Sequence, residues 1–195
     1  KQDSVEALPT QTIFYFTCGP INLELTFTAP LLMNNLDLLS RPINYISYRV
    51  SSNDNQSHEV SLYLEAGTAW ALNVYNQPSV SETFEKGNLL YLKTGSKQQK
   101  ILGKKGDNVR IDWGYFYLVA QKEHTHSAVG NGYSMRADFI ESGSFNKDIP
   151  PSPDDQNRLA FSRSLGKVRR TTSGYFMLGY DDIYSIQFFH KNLKA

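Results

Sequence analysis

The chain has 195 residues, a formal net charge of +1 and 20% charged residues. This balance argues against a protein that binds nucleic acid or an anionic membrane, since both need a marked excess of basic residues on one surface. The single cysteine, Cys18, excludes an internal disulfide framework and a cysteine-cluster zinc site, and no apolar run reaches the roughly 18 residues of a membrane-spanning helix.

Alternation of apolar and polar side chains is the dominant pattern along the chain. Leu23, Leu25 and Phe27 alternate with polar residues, and the same pattern recurs at 60–65 and 159–162. Because successive side chains of a strand point to opposite faces, this pattern predicts half-buried antiparallel strands. In chain order the other predicted strands are 13–17, 43–51, 79–84, 89–93, 115–120, 135–140 and 174–180.

Turn signals rich in glycine, asparagine and serine separate the predicted strands. Short strands, frequent turns and 13% aromatic residues predict an all-β fold, an antiparallel two-sheet β-sandwich. We expect one domain over residues 1–195, with long loops. The leucine-rich segment 30–41 is interpreted as one short amphipathic turn of helix or as a loop over a sheet edge. The proline-rich segment 148–155 is interpreted as a long surface loop.

The last part of the chain suggests a piece of a larger protein. The segment 179–189 holds four aromatic residues and two acids, and it lies close to the final residue, Ala195. The chain also begins at Lys1 rather than at methionine. We therefore expect the sandwich to be a fragment of a multidomain protein.

Two clusters of basic or metal-binding residue types have simple interpretations. The lysines around Gly103 and Gly106 lack the spacing of a phosphate-binding loop, so a solvated hairpin tip is favoured. His124 and His126 need a third ligand to form a metal site, so a polar loop after a strand ending near Ala120 is favoured. We therefore predict no metal site and no cofactor.

The acidic residues do not form a convincing catalytic group, and no nucleophile motif of the Gly-x-Ser-x-Gly type is present. Asp181 and Asp182 are adjacent, so a strand would place them on opposite faces, where they cannot act as a pair. A structural role at the start of a helix or turn is favoured for them. Asp112 is interpreted as the ion-pair partner of Arg110. No catalytic residue is predicted, and the three aspartates are disfavoured candidates.

Aromatic side chains lie on both faces of the predicted strand in segment 110–118. Every second residue from Trp113 is aromatic and shares one face, whereas Phe116 lies on the other. Core packing is the simplest interpretation, and an aromatic platform for a sugar ring or a neighbouring domain is the alternative. The candidates for such a docking or ligand-facing surface are Trp113, Tyr115, Tyr117, Tyr180 and Tyr184.

Six blocks of sequence, found in order over nearly the whole chain, carry a family resemblance. They are LPTQT at 8–12, LTFTAPL at 25–31, LDLLSRP at 36–42, LGKKGD at 102–107, RIDWGY at 110–115 and YDDIYSI at 180–186. Together they resemble the glutaminase A family of bacterial and fungal secreted proteins.

The resemblance implies the β-rich region in the N-terminal half of such proteins. In the family this region precedes a helical domain that resembles the α/α toroid of six-hairpin glycosidases. The resemblance implies hydrolysis of the glutamine amide for the parent protein and an extracellular or periplasmic location. It places no catalytic residue on this chain.

Three functions are compatible with these observations. The first is a non-catalytic module that packs against and supports a helical catalytic domain of the same parent chain. The second is a carbohydrate-binding module that uses Trp70 and Trp113 as aromatic platforms. The third is a contribution of Asp112, Asp181 and Asp182 to amide or glycoside hydrolysis in the parent.

Overall fold

The structure, a computed structural model, describes residues 1–103, 106–107, 113–145, 148–152 and 157–194. The described residues are mostly in antiparallel strands, which confirms the predicted all-β sandwich. The strands are β1 Gln2–Leu8, β2 Gln11–Cys18, β3 Ile21–Thr28, β4 Ile43–Ser52, β5 His58–Gly67, β6 Ser79–Lys86, β7 Leu89–Ser96, β8 Gly114–Gln121, β9 Thr125–Gly130, β10 Arg158–Val168, β11 Thr172–Asp182, β12 Ile186–Phe188 and β13 Lys191–Leu193. The helices are α1 Leu36–Leu39 and α2 Gly132–Ser142, with one 3-10 turn at Thr68–Ala71.

Two sheets of unequal size form the sandwich. Within the described residues, the large sheet has eight strands in the order β1-β2-β3-β4-β11-β8-β7-β6, and the small sheet has three in the order β5-β10-β9. Two-residue turns at Gly19-Pro20 and Gly87-Asn88 join β2 to β3 and β6 to β7. Both glycines have a φ near +60°, which glycine adopts without strain. A separate hairpin of β12 and β13 follows the sandwich.

The core lies between the two sheets and follows the alternation seen in the sequence. Tyr48 of β4, Phe116 of β8 and Phe176 of β11 are buried on the inner face of the large sheet. Leu159 and Phe161 of β10 are fully buried opposite them. The rings of Phe161 and Phe176 are nearly parallel, with centroids 6.2 Å apart, so they join the two sheets directly.

One arginine crosses the space between the sheets. Arg163 follows Leu159 and Phe161 on the same face of β10, and its guanidinium donates to Gln121 O at 3.1 Å and to Thr125 Oγ1 at 3.0 Å. Gln121 ends β8 in the large sheet, whereas Thr125 begins β9 in the small one. Arg163 therefore ties the sheets together by hydrogen bonds where apolar packing ends.

The prediction of a strand at 135–140 is wrong, because this segment lies in helix α2. Its apolar and polar residues alternate by chance, but Asn131 caps the helix by accepting from Tyr133 N at 2.9 Å and Ser134 N at 3.2 Å. Gly143, at φ +74°, ends it. Helix α2 covers the outer face of the small sheet, where the Phe139 and Tyr63 ring centroids are 5.1 Å apart.

Other differences concern strands with few buried side chains. Every residue of β1 is exposed, so this edge strand gives no alternating signal. The prediction of a polar loop at 124–126 is wrong in part, because His124 lies in a turn but His126 belongs to β9.

The short helix considered for 30–41 is confirmed as α1. Of the proline-rich segment, residues 153–155 lie outside the described residues, as do Lys104, Lys105 and Arg110 of the basic run.

Replacing Arg163 with methionine is expected to lower the free energy of unfolding by about 1–3 kcal/mol, because Gln121 O and the Thr125 hydroxyl lose a shielded donor. Urea denaturation measures the change. The matched control is Arg169→Met, because Arg169 Nε donates to Asn55 O at 2.9 Å on the exposed surface, where its loss is expected to cost at most about 0.5 kcal/mol. Equal losses for the two variants would contradict the bridging role.

The turn after β4 holds a carboxylate with an unusually low pKa. Asp54 accepts hydrogen bonds from the His58 imidazole, the Ser52 hydroxyl and Gln56 N, and these lower its pKa from 3.8 to about 2. A lowered carboxylate pKa adds stability that is present above pH 4 and is lost as the pH falls towards 2.

We expect an NMR titration to place the midpoint of the Asp54 carboxyl near pH 2. The variant His58→Ala is expected to raise that midpoint towards 3.8, because it removes the largest cause of the shift. A midpoint near 3.8 in the unaltered protein would show that these hydrogen bonds are not formed in solution.

Candidate functional site

The two ends of the sandwich differ in the length of their connections. At one end, which we call the loop end, lie the segments 29–42, 68–78, 97–103 and 183–194. At the other, the turn end, lie the short turns 19–20, 53–57, 87–88, 122–124 and 169–171. Loops held by a rigid sandwich are the usual place for binding residues.

Exposed apolar side chains are concentrated at the loop end. The five turns of the turn end are fully described, and they contain no exposed large hydrophobic residue. Contiguous exposed apolar surface on a folded domain marks an interaction site. The exposed large hydrophobic residues of the loop end are Leu31, Leu32, Met33, Leu36, Leu38, Trp70, Val74, Tyr75, Leu102, Tyr180, Ile186, Phe188, Phe189 and Leu193.

Trp70 and Tyr180 connect the loop end with the core. Their rings lie 5.4 Å and 5.3 Å from the buried ring of Phe116, measured between centroids. The Tyr180 hydroxyl donates to Trp70 O at 3.4 Å, and burial of part of the ring raises the pKa of Tyr180. Trp70 is 56% exposed and Tyr180 is 43% exposed. The aromatic core therefore reaches the surface at the loop end instead of being closed there.

Trp113 and Tyr184, two further candidates for a docking or ligand-facing surface, also lie at the loop end. Trp113 O accepts a hydrogen bond from Ile183 N at 3.1 Å, which joins the segment before β8 to the last part of the chain. Both side chains line a hollow of about 380 Å³ together with Leu102 and Ile186. Both side chains are half-buried.

Tyr115 and Tyr117 lie elsewhere, on the outer face of the large sheet. Alternation along β8 puts them opposite the buried Phe116, as the sequence predicts. The ammonium group of Lys93 lies 4.0 Å from the centre of the Tyr115 ring, a cation–π contact. Tyr117 lines a depression that we call the outer groove, whose residues include Tyr45, Tyr91, Tyr117, Met177 and Asp181. The predicted aromatic residues therefore divide between two surfaces.

The adjacent acids Asp181 and Asp182 end strand β11, so they belong to a strand and not to the start of a helix. Asp181 lines the outer groove. Asp182 packs against Gly114, where an added Cβ would lie 2.9 Å from Asp182 Oδ1. Burial, with the nearby charge of Asp181, raises the pKa of Asp182. Asp112, the third candidate carboxylate, lies outside the described residues.

The remaining site predictions concern metals and membranes. Among the residues that the structure describes, no three His, Cys, Asp or Glu side chains come together as a metal site. In the same part of the chain, no helix has the length and apolar content needed to cross a bilayer.

The sequence indicated Trp70 only as a possible sugar platform. Its contact with Phe116 and Tyr180 could not be predicted, because Trp70 lies in a turn that joins strands of different sheets.

The exposure of the two tryptophans can be measured separately. In Trp113→Phe, which retains Trp70, we expect iodide to quench the fluorescence strongly, because more than half of the Trp70 side chain is exposed. In Trp70→Phe, which retains the half-buried Trp113, weaker quenching is expected. The reverse order of quenching would show that Trp70 is covered in solution.

Comparison with known proteins relates this chain to a family. Residues 10–195 match the family described as Domain of unknown function (DUF5127). The chain is also similar to Glutaminase A of Aspergillus oryzae (strain ATCC 42149 / RIB 40), with 24% identity over 202 residues. That match covers 96% of this chain and 28% of the fungal protein, so the chain spans little more than a quarter of its relative. Since the family match extends over most of its length, the chain belongs to the DUF5127 family.

Proposed function

We propose that this domain is a non-catalytic module of a glutaminase A-like hydrolase. Its loop end packs against another domain of the same parent chain, the helical catalytic domain that the family resemblance implies. The single observation that carries the proposal is the concentration of exposed apolar side chains at the loop end and their absence from the fully described turns of the turn end.

The chemistry of the loop end favours a protein partner. The fully buried part of a protein interface is enriched in aromatic residues and methionine and depleted of charged residues. Trp70, Tyr180, Phe188 and Phe189 are exposed at this end, and the Phe188 and Phe189 rings meet edge to face with centroids 4.4 Å apart. Such a surface stays in contact with water only at a cost in solubility, so a covering partner is expected.

The partner is assigned to the same chain because the matched region is only a small part of the fungal relative. Most of the length of the fungal Glutaminase A lies outside the region matched by this domain. A partner on the same polypeptide meets the loop end at a high effective concentration, so an interface of modest area is sufficient.

A supporting role agrees with the geometry of the acids. Asp181 and Asp182 are consecutive in β11, so their side chains point to opposite faces of the large sheet. Two carboxyl groups that share a substrate must face one space, with about 5–9.5 Å between them in glycoside hydrolysis. The pair therefore does not favour a catalytic function for this domain.

The docking proposal is tested by two matched substitutions, Phe189→Asp and Ile140→Asp. Phe189 is 82% exposed at the loop end, and Ile140 is 84% exposed on helix α2, away from that end. In the full-length parent, Phe189→Asp is expected to lower the thermal midpoint of the β domain by several degrees, because a charge is buried at the interface. In the separate domain, where Phe189 meets water, neither substitution is expected to matter.

Leu36→Asp provides a second position at the loop end, since Leu36 is also exposed there. The proposal is wrong if Phe189→Asp and Leu36→Asp have the same small effect as Ile140→Asp in the full-length parent. Differential scanning calorimetry of the three variants and the unaltered sequence, each as full-length parent and as separate domain, distinguishes these outcomes.

The non-catalytic part of the proposal has its own test. In the full-length parent, Asp181→Asn and Asp182→Asn are each expected to leave the rate of glutamine hydrolysis within about twofold, whereas loss of a general acid or base costs about 10²–10⁴. A loss of a hundredfold or more in either variant, with the fold intact by circular dichroism, would assign catalysis to this domain.

A further inference from the structure

The outer groove crosses the middle of the large sheet, on the face that points away from the small sheet. Its floor and sides come from β4, β11, β8 and β7, which are neighbours in the sheet. Met177 is paired with Tyr45 on one side and Val119 on the other, and Val119 is paired with Tyr91. The register of the sheet therefore places three tyrosines around an apolar strip of methionine and valine.

A glycine makes the depression at one end of this strip. Gly179 lies between Ile43 and Tyr117 in the register and adds no side chain to the floor. The carbonyl oxygen of Pro42 lies 2.7 Å from the point where a Cβ of residue 179 would stand. The chain thus folds over the edge of the groove at Pro42. The groove is open to solvent and has a volume of about 520 Å³. Ligand pockets of about 300–1,000 Å³ are typical for small molecules.

The aromatic rings that border the groove are held by neighbours on the same face. Tyr91 is stacked on Phe84, with ring planes 4° apart and centroids separated by 4.9 Å. Tyr45 meets Tyr175 edge to face at 5.9 Å. Rings fixed in this way lose little freedom when a ligand binds. The surface is therefore organised before any ligand arrives.

The polar groups of the groove include both donors and acceptors of hydrogen bonds. Among the described residues, none forms a hydrogen bond with the hydroxyl group of Tyr45, Tyr91 or Tyr117, so all three are available to a ligand. Arg41 and Asp181, which carry opposite charges, line the end near the loops. A strongly anionic ligand would be repelled by Asp181, and a strongly cationic ligand would be repelled by Arg41. The charge balance favours a neutral ligand with many hydroxyl groups.

Recognition in this groove depends on side chains and not on strand pairing. All four strands beneath it have a neighbour on both sides, so no free edge accepts an extended peptide. A sugar ring presents apolar C–H faces and hydroxyl groups around its rim, which suits tyrosine rings and hydroxyls beside an apolar floor.

We propose that the outer groove binds a neutral oligosaccharide, with pyranose faces against the tyrosine rings and hydroxyl groups on Arg41 and Asp181. This binding function is separate from docking at the loop end, because the groove lies on a face of the sheet.

The three methionines of the chain allow a direct test by methyl NMR. Met177 lines the groove, Met33 is 81% exposed at the loop end, and Met135 is a buried residue of helix α2. The chain, labelled at its methionine methyl groups, is titrated with glucose, mannose and xylose hexasaccharides of β-1,4 linkage and with a β-1,3-glucose hexasaccharide. We expect at least one sugar to shift the Met177 signal in a saturable manner and to leave the Met33 and Met135 signals unchanged.

Groove variants establish where the sugar binds. Tyr117→Ala is expected to weaken binding of the sugar at least tenfold. Asp181→Asn and Arg41→Ala are also expected to weaken binding, and they test the groove even if loss of the Tyr117 ring disturbs folding. Tyr15→Ala is the matched control, because Tyr15 is a half-buried tyrosine on the same face of the sheet, on β2, outside the groove.

Two results would overturn the proposal. One is the absence of any Met177 shift with all four sugars at 10 mM. The other is binding that Tyr117→Ala, Asp181→Asn and Arg41→Ala leave unchanged. Neither result affects the docking proposal, because Met33 and the loop-end substitutions report on that surface independently.

Discussion

The packing of a three-stranded sheet against an eight-stranded one is the constraint on which the rest of this structure depends. A small sheet covers only the middle of a large one, and the buried core accordingly lies beneath β4, β11, β8 and β7. The direct ring contact between Phe161 and Phe176 and the hydrogen bonds of Arg163 hold this central region together. Everything outside it has to be stabilised locally or covered from elsewhere.

The large sheet shows this mismatch at its first three strands. Phe14, Phe16 and Phe27 point to the same side as the core, but none of them is buried. They cluster with one another instead, with centroids 5.7 Å and 6.4 Å apart. The core is also incompletely covered at the loop end, because Trp70 and Tyr180, which pack on it there, are themselves partly exposed. Helix α2, in contrast, supplies the small sheet with a second layer.

The fold could be predicted from the sequence wherever a strand has one buried face. Strands β3, β4, β5 and β10 carry that signal, because the core selects apolar residues at every second position. Strand β1 has no buried side chain and therefore no signal. Segment 135–140 gave a false signal over a few residues, and only the flanking Asn131 and Gly143 mark it as a helix.

The candidate surfaces were less predictable, because they depend on strands that are distant in sequence. The outer groove requires β4, β7, β8 and β11 to be neighbours in one register, and no local pattern contains that information. The separation of Asp181 from Asp182 was predictable, since it follows from strand geometry alone. The exposure of Trp70 and Tyr180 was not, because it depends on where the small sheet ends.

The short turns opposite the long loops have a consequence for how this domain tolerates changes in length. The segment Asn53–Ser57 is exposed, and Asn55 adopts a positive φ of 61°, as loop residues do. Extra residues inserted there extend into solvent, far from the groove and the apolar end, and their cost is limited to the local hydrogen bonds of Asp54 and Asn55. Such a position suits a fluorophore or an inserted tag that reports on the domain from a distance.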